Sequence, residues 1–398
     1  MKIALVVVAY NRLNSLQRLL SSMENAYYDN DNVNLIISVD KSDSDKVERW
    51  AGKYHWHHGK YEVIIHQKRL ELRNHVLECG NRVVDYDAVI VLEDDITVTP
   101  NFYRYAKQCV EFYCHDDRIA GISLYGFVRN FQNSLPFEPV KSEYDVFFMN
   151  VAQSWGQVWM KRQWLDFYDW YRKDPSEIGY ASYLTNIWRW PESSWLKYHM
   201  KYCLEKNKYF VYPYFSLSTN NSEIGTHTAS LETYNQARLQ VLPQKQFKLV
   251  SLDDAPIKYD AFFEAKFLAH YLGVDDDDLC VDFHNEKHNR LGKRFWLTTS
   301  AQPYKVVRSF SLQLKPYEHN IIQDRRGNQL FLYDTTVSDK APAVDKLALF
   351  HYMYGDGLEM AVEILGRRGV MEYLVIRSLK NRMCRLGKFL KGFGHETS

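Results

Sequence analysis

Residues Lys2–Ala9 form an almost unbroken apolar run containing Val6, Val7 and Val8, the pattern of a strand buried on both faces. Asn11-Arg12-Leu13-Asn14 interrupts it, and Leu16, Leu19, Leu20 and Met23 then recur at helical spacing, with Asn14 or Ser15 as N-cap. Val33–Val39 reads as a second strand closing on Asp40, and Glu62–His66 as a third. Leu72, Val76, Leu77 and Val83 predict a helix leading to a fourth strand, Val89–Leu92. Beyond Pro100, a helix is marked by Phe102, Tyr105, Ala106, Cys109 and Val110; Ile119–Leu124 and Val146–Met149 follow as strands. This alternation predicts an α/β fold: a mostly parallel, Rossmann-like sheet flanked by helices. After Ala229 the pattern weakens into a C-terminal α+β extension, with strands at Phe310–Leu314 and Gln329–Tyr333. Asp275–Asp278 reads as a solvated loop, because the spaced acids and Gly of a calcium loop are missing.

The fourth strand stops on Glu93-Asp94-Asp95. Adjacent carboxylates repel one another unless a cation or bound group compensates. Hard oxygens at a strand end suit Mg²⁺ or Mn²⁺, and through it a diphosphate; a solvated acidic turn is the plain alternative. Three strands end on ligand-suited residues: Asn11-Arg12, Asp40 and Glu93-Asp94-Asp95. In open α/β sheets ligands bind at the carboxyl ends of the strands, so the convergence favours a site.

With 50 basic and 49 acidic residues in 398, the chain has no electrostatic drive toward nucleic acid. The first apolar run is too short for a signal peptide or a spanning helix, and no later segment is long and apolar enough to cross a membrane. Six cysteines without Cys-x-x-Cys spacing fit a reduced, cytoplasmic protein. Seven of the ten Trp fall between Trp155 and Trp195, either as a dense core or as a cleft whose rings stack on sugars. His55-Trp56-His57-His58 reads as a surface loop rather than a metal site, having no spaced Asp or Cys partner. From Gly366 to Gly392, eight basic residues face one acid, Glu372, and are interleaved with Leu374, Val375, Leu379, Met383, Leu386 and Leu390. Such a stretch suits either an anionic membrane surface or packing as an ordinary surface helix.

Val-Val-Val-Ala-Tyr-Asn-Arg (residues 6–12), the strand-end Asp40, and Val-Leu-Glu-Asp-Asp-x-x-Val-x-Pro-x-Phe (residues 91–102) resemble the GT-A glycosyltransferases. The acidic motif is similar to that of the N-acetylglucosaminyltransferase I type. Ser154-Trp155-Gly156-Gln157-Val158-Trp159, Pro191-Glu192-Ser193-Ser194-Trp195 and Gly225-Thr226-His227-Thr228 resemble bacterial transferases that build surface glycans such as lipopolysaccharide or capsule.

The resemblance covers residues 1–230, which it implies to be a GT-A domain with a nucleotide-binding half (1–100) and an acceptor-side half (101–230). Residues 231–365 form an accessory region, and 366–398 a basic amphipathic tail. It implies a nucleotide-sugar donor, typically a UDP-sugar, with Mn²⁺ or Mg²⁺ as cofactor, and a glycan or lipid-linked saccharide as acceptor. Tyr10, Arg12, Asp40, Glu93 and Asp94 would face the nucleotide, Arg12 toward the diphosphate and Asp40 toward the base. Asp95 and His227 would hold the metal, and Trp155, Gly156 and Trp195 would line the sugar cleft. Glu192, three residues before Trp195, takes the place of the catalytic base, with Glu177 and Asp174 next in line. A Trp-rich environment would raise its pKa, and a single base opposite the leaving group implies inversion. Two rivals remain. A sugar-nucleotide nucleotidyltransferase would want a Gly-rich loop where Ala9-Tyr10-Asn11-Arg12-Leu13 stands. A non-catalytic glycan-binding protein would need neither metal nor base.

Overall fold

The computed structural model describes residues 1–173, 187, 190–221, 235–287 and 292–393. The chain begins with β1 (Ile3–Ala9), α1 (Leu13–Glu24), β2 (Asn34–Val39), α2 (Lys46–Ala51), β3 (Tyr61–Ile65), α3 (Glu71–Asn81) and β4 (Ala88–Glu93). A short β5 (Ile96–Val98) and α4 (Phe102–Tyr113) precede β6 (Ile119–Ser123), β7 (Val146–Met149) and β8 (Gln157–Met160). Next come α5 (Lys161–Arg172), α6 (Trp195–Glu205), β9 (Tyr209–Pro213), β10 (Ser218–Asn220) and β11 (Lys258–Tyr259). Nine strands form one sheet in the order β11-β7-β9-β6-β8-β4-β1-β2-β3, and β5 pairs with β10 in a separate two-stranded ribbon. Within the large sheet β1, β2, β3 and β4 are mutually parallel, and β8 is inserted antiparallel between β4 and β6.

All seven residues of β1 are buried. Ala4, Val6 and Val8 enter one apolar core, while Ile3, Leu5, Val7 and Ala9 enter the other. That is the period-two geometry of a strand covered on both faces. Each such Val, Leu or Ile contributes roughly 1.5–3 kcal/mol when fully buried. Leu16, Leu19, Leu20 and Met23 of α1 seal the second core. The helix begins at Leu13 without a side-chain cap, so Ser15 lies buried inside it and Asn14 falls in its first turn. On the opposite face α3 packs on α5 and α6. Gly80 permits that approach, since a Cβ there would lie 2.2 Å from the Trp164 ring.

After β11 come α7 (Ala269–Leu272), β12 (Leu279–Val281), β13 (Phe295–Thr298), β14 (Tyr304–Phe310), α8 (Glu318–Ile322) and β15 (Leu330–Ser338). The four strands form a second sheet in the order β12-β13-β15-β14. The strand expected at Phe310–Leu314 in fact ends at Phe310, because Leu312 and the backbone around it turn to meet Gln329 and Asn320 instead of a strand partner. β11 adds to the large sheet, and Leu297, Phe310, Leu330 and Leu332 of the second sheet join the same core as Val6 and Val91. The last helix, α9 (Lys346–Phe393), is broken at Gly366, where φ 68° and ψ 164° are open only to glycine. The described cysteines are free thiols. Asp276–Asp278 form an exposed helical turn.

Candidate active site

The acidic run sits where parallel strands deliver it. β4 ends at Glu93, Asp94 and Asp95 make the turn into β5, and β1 alongside ends at Ala9-Tyr10. Arg12, on the turn into α1, donates to the carboxylate of Asp94, and its Nη1 lies 3.3 Å from Asp95 Oδ2. Asp94 is 3% exposed, while the Asp95 side chain keeps 29% of its surface open. Burial pushes the Asp94 carboxyl up to about 6 even though Arg12 and the backbone N–H of Tyr10 oppose the shift. Glu93 is pushed up to about 8 by burial and then by Asp95 and Asp94. Three acids and one guanidinium therefore leave the turn short of positive charge.

Asp40 closes β2 and is 4% exposed. Its carboxylate accepts the backbone N–H groups of Lys41 and Leu70 at 2.8 Å and of Glu71 at 3.1 Å, which ties β2 to the start of α3. Tyr10 lies under Arg69, 4.8 Å from the guanidinium. Arg73, one helical turn on, donates to the Tyr198 hydroxyl at 2.7 Å. Arg69 and Arg73 are site-facing cations that the motif-based reading passed over. Their signal was two arginines four residues apart, straddling the start of the helix that follows a strand end.

The Trp-rich segment divides in two. Trp159 and Trp164 stack at 4.2 Å and, with Trp195, are buried over the sheet. His199 is wholly buried among these rings, 4.2 Å from Phe167, and burial lowers its pKa to about 3. The expectation of a sugar-stacking Trp195 thus gives way: it is 3% exposed, lies edge-on to Trp159, and directs its indole N–H at Glu93. Trp155 and Trp190 are half-buried and line a cavity of about 280 Å³. Gly156, at φ 97°, lets the chain turn from that cavity into β8, where a Cβ would meet Leu124 at 3.1 Å.

Glu192 differs from expectation. Its side chain is 71% exposed, and its carboxylate is held by Lys197 Nζ at 2.5 Å and by the Tyr198 hydroxyl. Those two donors, Lys197 first, lower its pKa, so the rise expected from Trp-rich surroundings does not occur. The rings pack on one another and leave Glu192 in water. His227, Glu177, Asp174 and the Gly225–Thr228 motif lie outside the described residues. Asn221, at the end of β10, donates to the Asp95 carbonyl from its backbone N–H at 3.0 Å and its side-chain amide at 2.9 Å. His57 and His58 both turn to Glu24, at 3.3 Å, on the far end of α1.

Residues 4–159 match the model of glycosyl transferase family 2. This chain carries a GT-A glycosyl transferase family 2 domain. The domain runs from β1 into β8 and contains Arg12, Asp40, the acidic turn and Trp155. Among solved structures, S. aureus TarS 1–349 aligns at 10% identity over 56% of this chain and 61% of that one, with a TM-score of 0.35. A mannosyltransferase from Pyrobaculum calidifontis, in complex with GDP-Man and Mn²⁺, aligns at 14% identity over 45% and 48%, with a TM-score of 0.32. The chain thus spans less than two thirds of the length of either. No curated protein matches it.

Among the described residues, no three His, Cys, Asp or Glu side chains are arranged to enclose a metal ion. A Mg²⁺- or Mn²⁺-type site does not require such a cage, since these ions are commonly held by one or two carboxylates, waters and the substrate's own phosphates. The part-exposed Asp95 beside buried Asp94 would fit that donor set.

Proposed function

We propose that the protein is a metal-dependent glycosyltransferase that moves a hexose or N-acetylhexosamine from a UDP-sugar to a saccharide or lipid-linked acceptor, with inversion. The observation that carries this is the Glu93-Asp94-Asp95 turn, with Arg12 laid across it, at the strand ends of a glycosyl transferase family 2 domain. Binding a nucleobase alone would not call for three carboxylates beside one cation.

Asp40, clamped by backbone N–H groups, presents its remaining lone pairs to the base. Tyr10 and Arg69 flank the same strand ends. Asp95 is the direct metal ligand, with His227 as its partner; when bound, the Mn²⁺ or Mg²⁺ offsets the charge that gathers on the departing diphosphate. Arg12 offers a second cation for that charge. Glu192, ionised through its contacts with Lys197 and Tyr198, is the base that receives the acceptor hydroxyl's proton. Tyr198 joins Glu192 to Arg73, so the base and the nucleotide side share one hydrogen-bonded chain.

The C-terminal half of α9 supports a membrane-facing role in surface-polysaccharide synthesis. No described helix is long and apolar enough to cross a membrane. Yet Met371, Tyr373, Leu374, Val375, Ile376 and Leu379 are each more than half exposed and lie on all sides of the helix. An apolar helix girdle needs a cover. The surrounding excess of basic residues matches an anionic lipid surface.

The test is a panel of nucleotide sugars with and without Mn²⁺, scored for release of nucleoside diphosphate. Metal-dependent release from one donor is expected; no release from any donor, with or without a saccharide acceptor, overturns the proposal.

A further inference from the structure

The last helix, α9, carries two exposed apolar seams, one on each side of its break at Gly366. The first arm (346–365) docks on the core through Leu349 and Tyr352, and the Tyr352 hydroxyl donates to the Leu314 carbonyl at 2.6 Å. Beside that contact, Phe350, Met353, Gly357, Met360 and Ile364 recur at alternating steps of three and four residues, the a/d spacing of a coiled coil. Phe350 and Met360 are exposed, and Ile364 keeps 77% of its surface open. On the second arm (367–393), Ile376, Leu379, Met383, Leu386, Leu390 and Phe393 repeat the same spacing, and Ile376 and Leu379 are likewise exposed. A seam confined to a and d positions is narrower than the face of a helix that covers a globular core. The two arms of one chain cannot cover each other. An antiparallel helix pair needs a loop of about two to five residues, and Gly366 alone separates them.

The arms are opposite in charge. The first holds Asp356, Glu359 and Glu363 against Lys346, and the second holds eight basic residues against Glu372. In heptad register the flanking g positions are Asp356 and Glu363 on the first arm and Arg368 and Arg382 on the second. We infer that α9 is a self-association surface, pairing antiparallel with a second copy of this chain about a two-fold axis at Arg368. About that centre Met360 meets the partner's Ile376, Gly357 the partner's Leu379, Met353 the partner's Met383 and Phe350 the partner's Leu386. Every layer sets an a position against a d position. Turning one helix over keeps like flanks on the same side, so Asp356 falls nearest the partner's Arg382 and Glu363 nearest the partner's Arg368. Flanking charges of this kind fix partner and orientation, and a parallel pair would set acid on acid and base on base. The two-fold axis repeats each contact, as an isologous interface requires. Anionic lipid suits the second arm only, because it repels the acids beside the first seam. Met371, Tyr373 and Leu374 lie off the seam and are exposed, so the second arm can meet a partner and a membrane at once. The pairing is independent of the chemistry at the acidic turn.

Sedimentation velocity on the full chain in lipid-free buffer should show a dimer whose dissociation constant rises with salt, because salt screens the paired flanks. Asp356→Arg with Glu363→Arg, and separately Arg368→Glu with Arg382→Glu, set like charges along the seam. Each double variant, matched to wild type by circular dichroism, should dimerise about a hundredfold more weakly or worse. An equimolar mixture of the two should recover the wild-type constant as a heterodimer, since every arm then meets its opposite. Arg368→Cys, on the axis, should be joined to its own copy by a short bis-maleimide above the background of the wild-type thiols. Phe350→Cys, whose counterpart is Leu386, should not. A chain that stays monomeric at its highest soluble concentration overturns the pairing; if that monomer floats with anionic liposomes, the seams belong to lipid. A dimer strengthened by salt, a mixture of variants that stays monomeric, or linkage at Phe350→Cys, the mark of a parallel pair, overturns it equally.

Discussion

Arg12 reaches from the end of one parallel strand to the acids at the end of its neighbour, pairing with buried Asp94 while its Nη1 stands 3.3 Å from the more open Asp95. The contact links the two strand ends between which a diphosphate would enter. It also distinguishes two acids of one motif, Asp94 buried and Asp95 partly open.

Asp95→Ala should therefore abolish the metal-dependent part of UDP binding while leaving the melting temperature close to wild type. Asp94→Ala should instead destabilise the fold, because it removes the nearer of the two carboxylates that hold Arg12; breaking a well-buried pair costs about 3–5 kcal/mol, and Arg12, part-exposed and still near Asp95, should cost less. Calorimetry with UDP and Mn²⁺, paired with thermal melts, checks both. Undiminished metal-dependent affinity in Asp95→Ala removes it from the metal site.

Glu192→Gln should keep UDP affinity and lower kcat by about a hundredfold or more, the usual scale for a lost general base. Since Lys197 and Tyr198 lower its pKa, wild-type kcat/KM should lose no base activity on acidification until below the ordinary carboxylate range. An acid limb near neutral pH, or a near-normal rate in the variant, would assign the base elsewhere.

Truncation after Leu365 should abolish flotation with anionic liposomes and leave nucleotide-sugar turnover intact. Each basic residue at such a surface contributes on the order of 1 kcal/mol, so several together give reversible binding. Raising the salt should weaken it, because the Debye length is already roughly 8 Å at physiological ionic strength. Equal flotation of the two proteins would make the tail an ordinary packing helix.

Glu318 lies fully buried where the second sheet meets the large one, with the Tyr259 hydroxyl as partner, and burial raises its pKa to about 7. Burial also pushes up Glu286, to about 7, and Glu264. A carboxyl raised in the folded state keeps a proton that the unfolded chain releases from about pH 4.3. Stability should consequently fall as pH rises from there through about 7, and the full cost is present above it. Glu318→Gln cannot ionise, so its melting temperature should gain on wild type by a few degrees between pH 5 and pH 8, an effect of about 2–3 kcal/mol. A constant difference across that range would show that Glu318 does not titrate there.

The parallel sheet and the strand-end acids were legible in the chain because both are written in local order. A strand buried on two faces must be apolar throughout, as Ile3–Ala9 is, and a helix on one core must repeat every three to four residues, as Leu16–Met23 does. The acids could be placed because a parallel strand carries its last residues to the ligand edge of the sheet. What the side chains do depended on contacts across long separations, which no local pattern encodes. Trp155 and Trp195 carry the same ring in the same segment, yet Trp195 is sealed edge-on against Trp159 of β8 while Trp155 meets Tyr125 and opens onto a cavity. Glu192 stands in water with a lowered pKa because Lys197 and Tyr198 lie on the following helix turn, and buried Asp94 finds its cation in Arg12, 82 residues away. Local order determined which elements form and where the acids fall. Packing between distant segments decided which of those groups are buried, paired or open to a ligand.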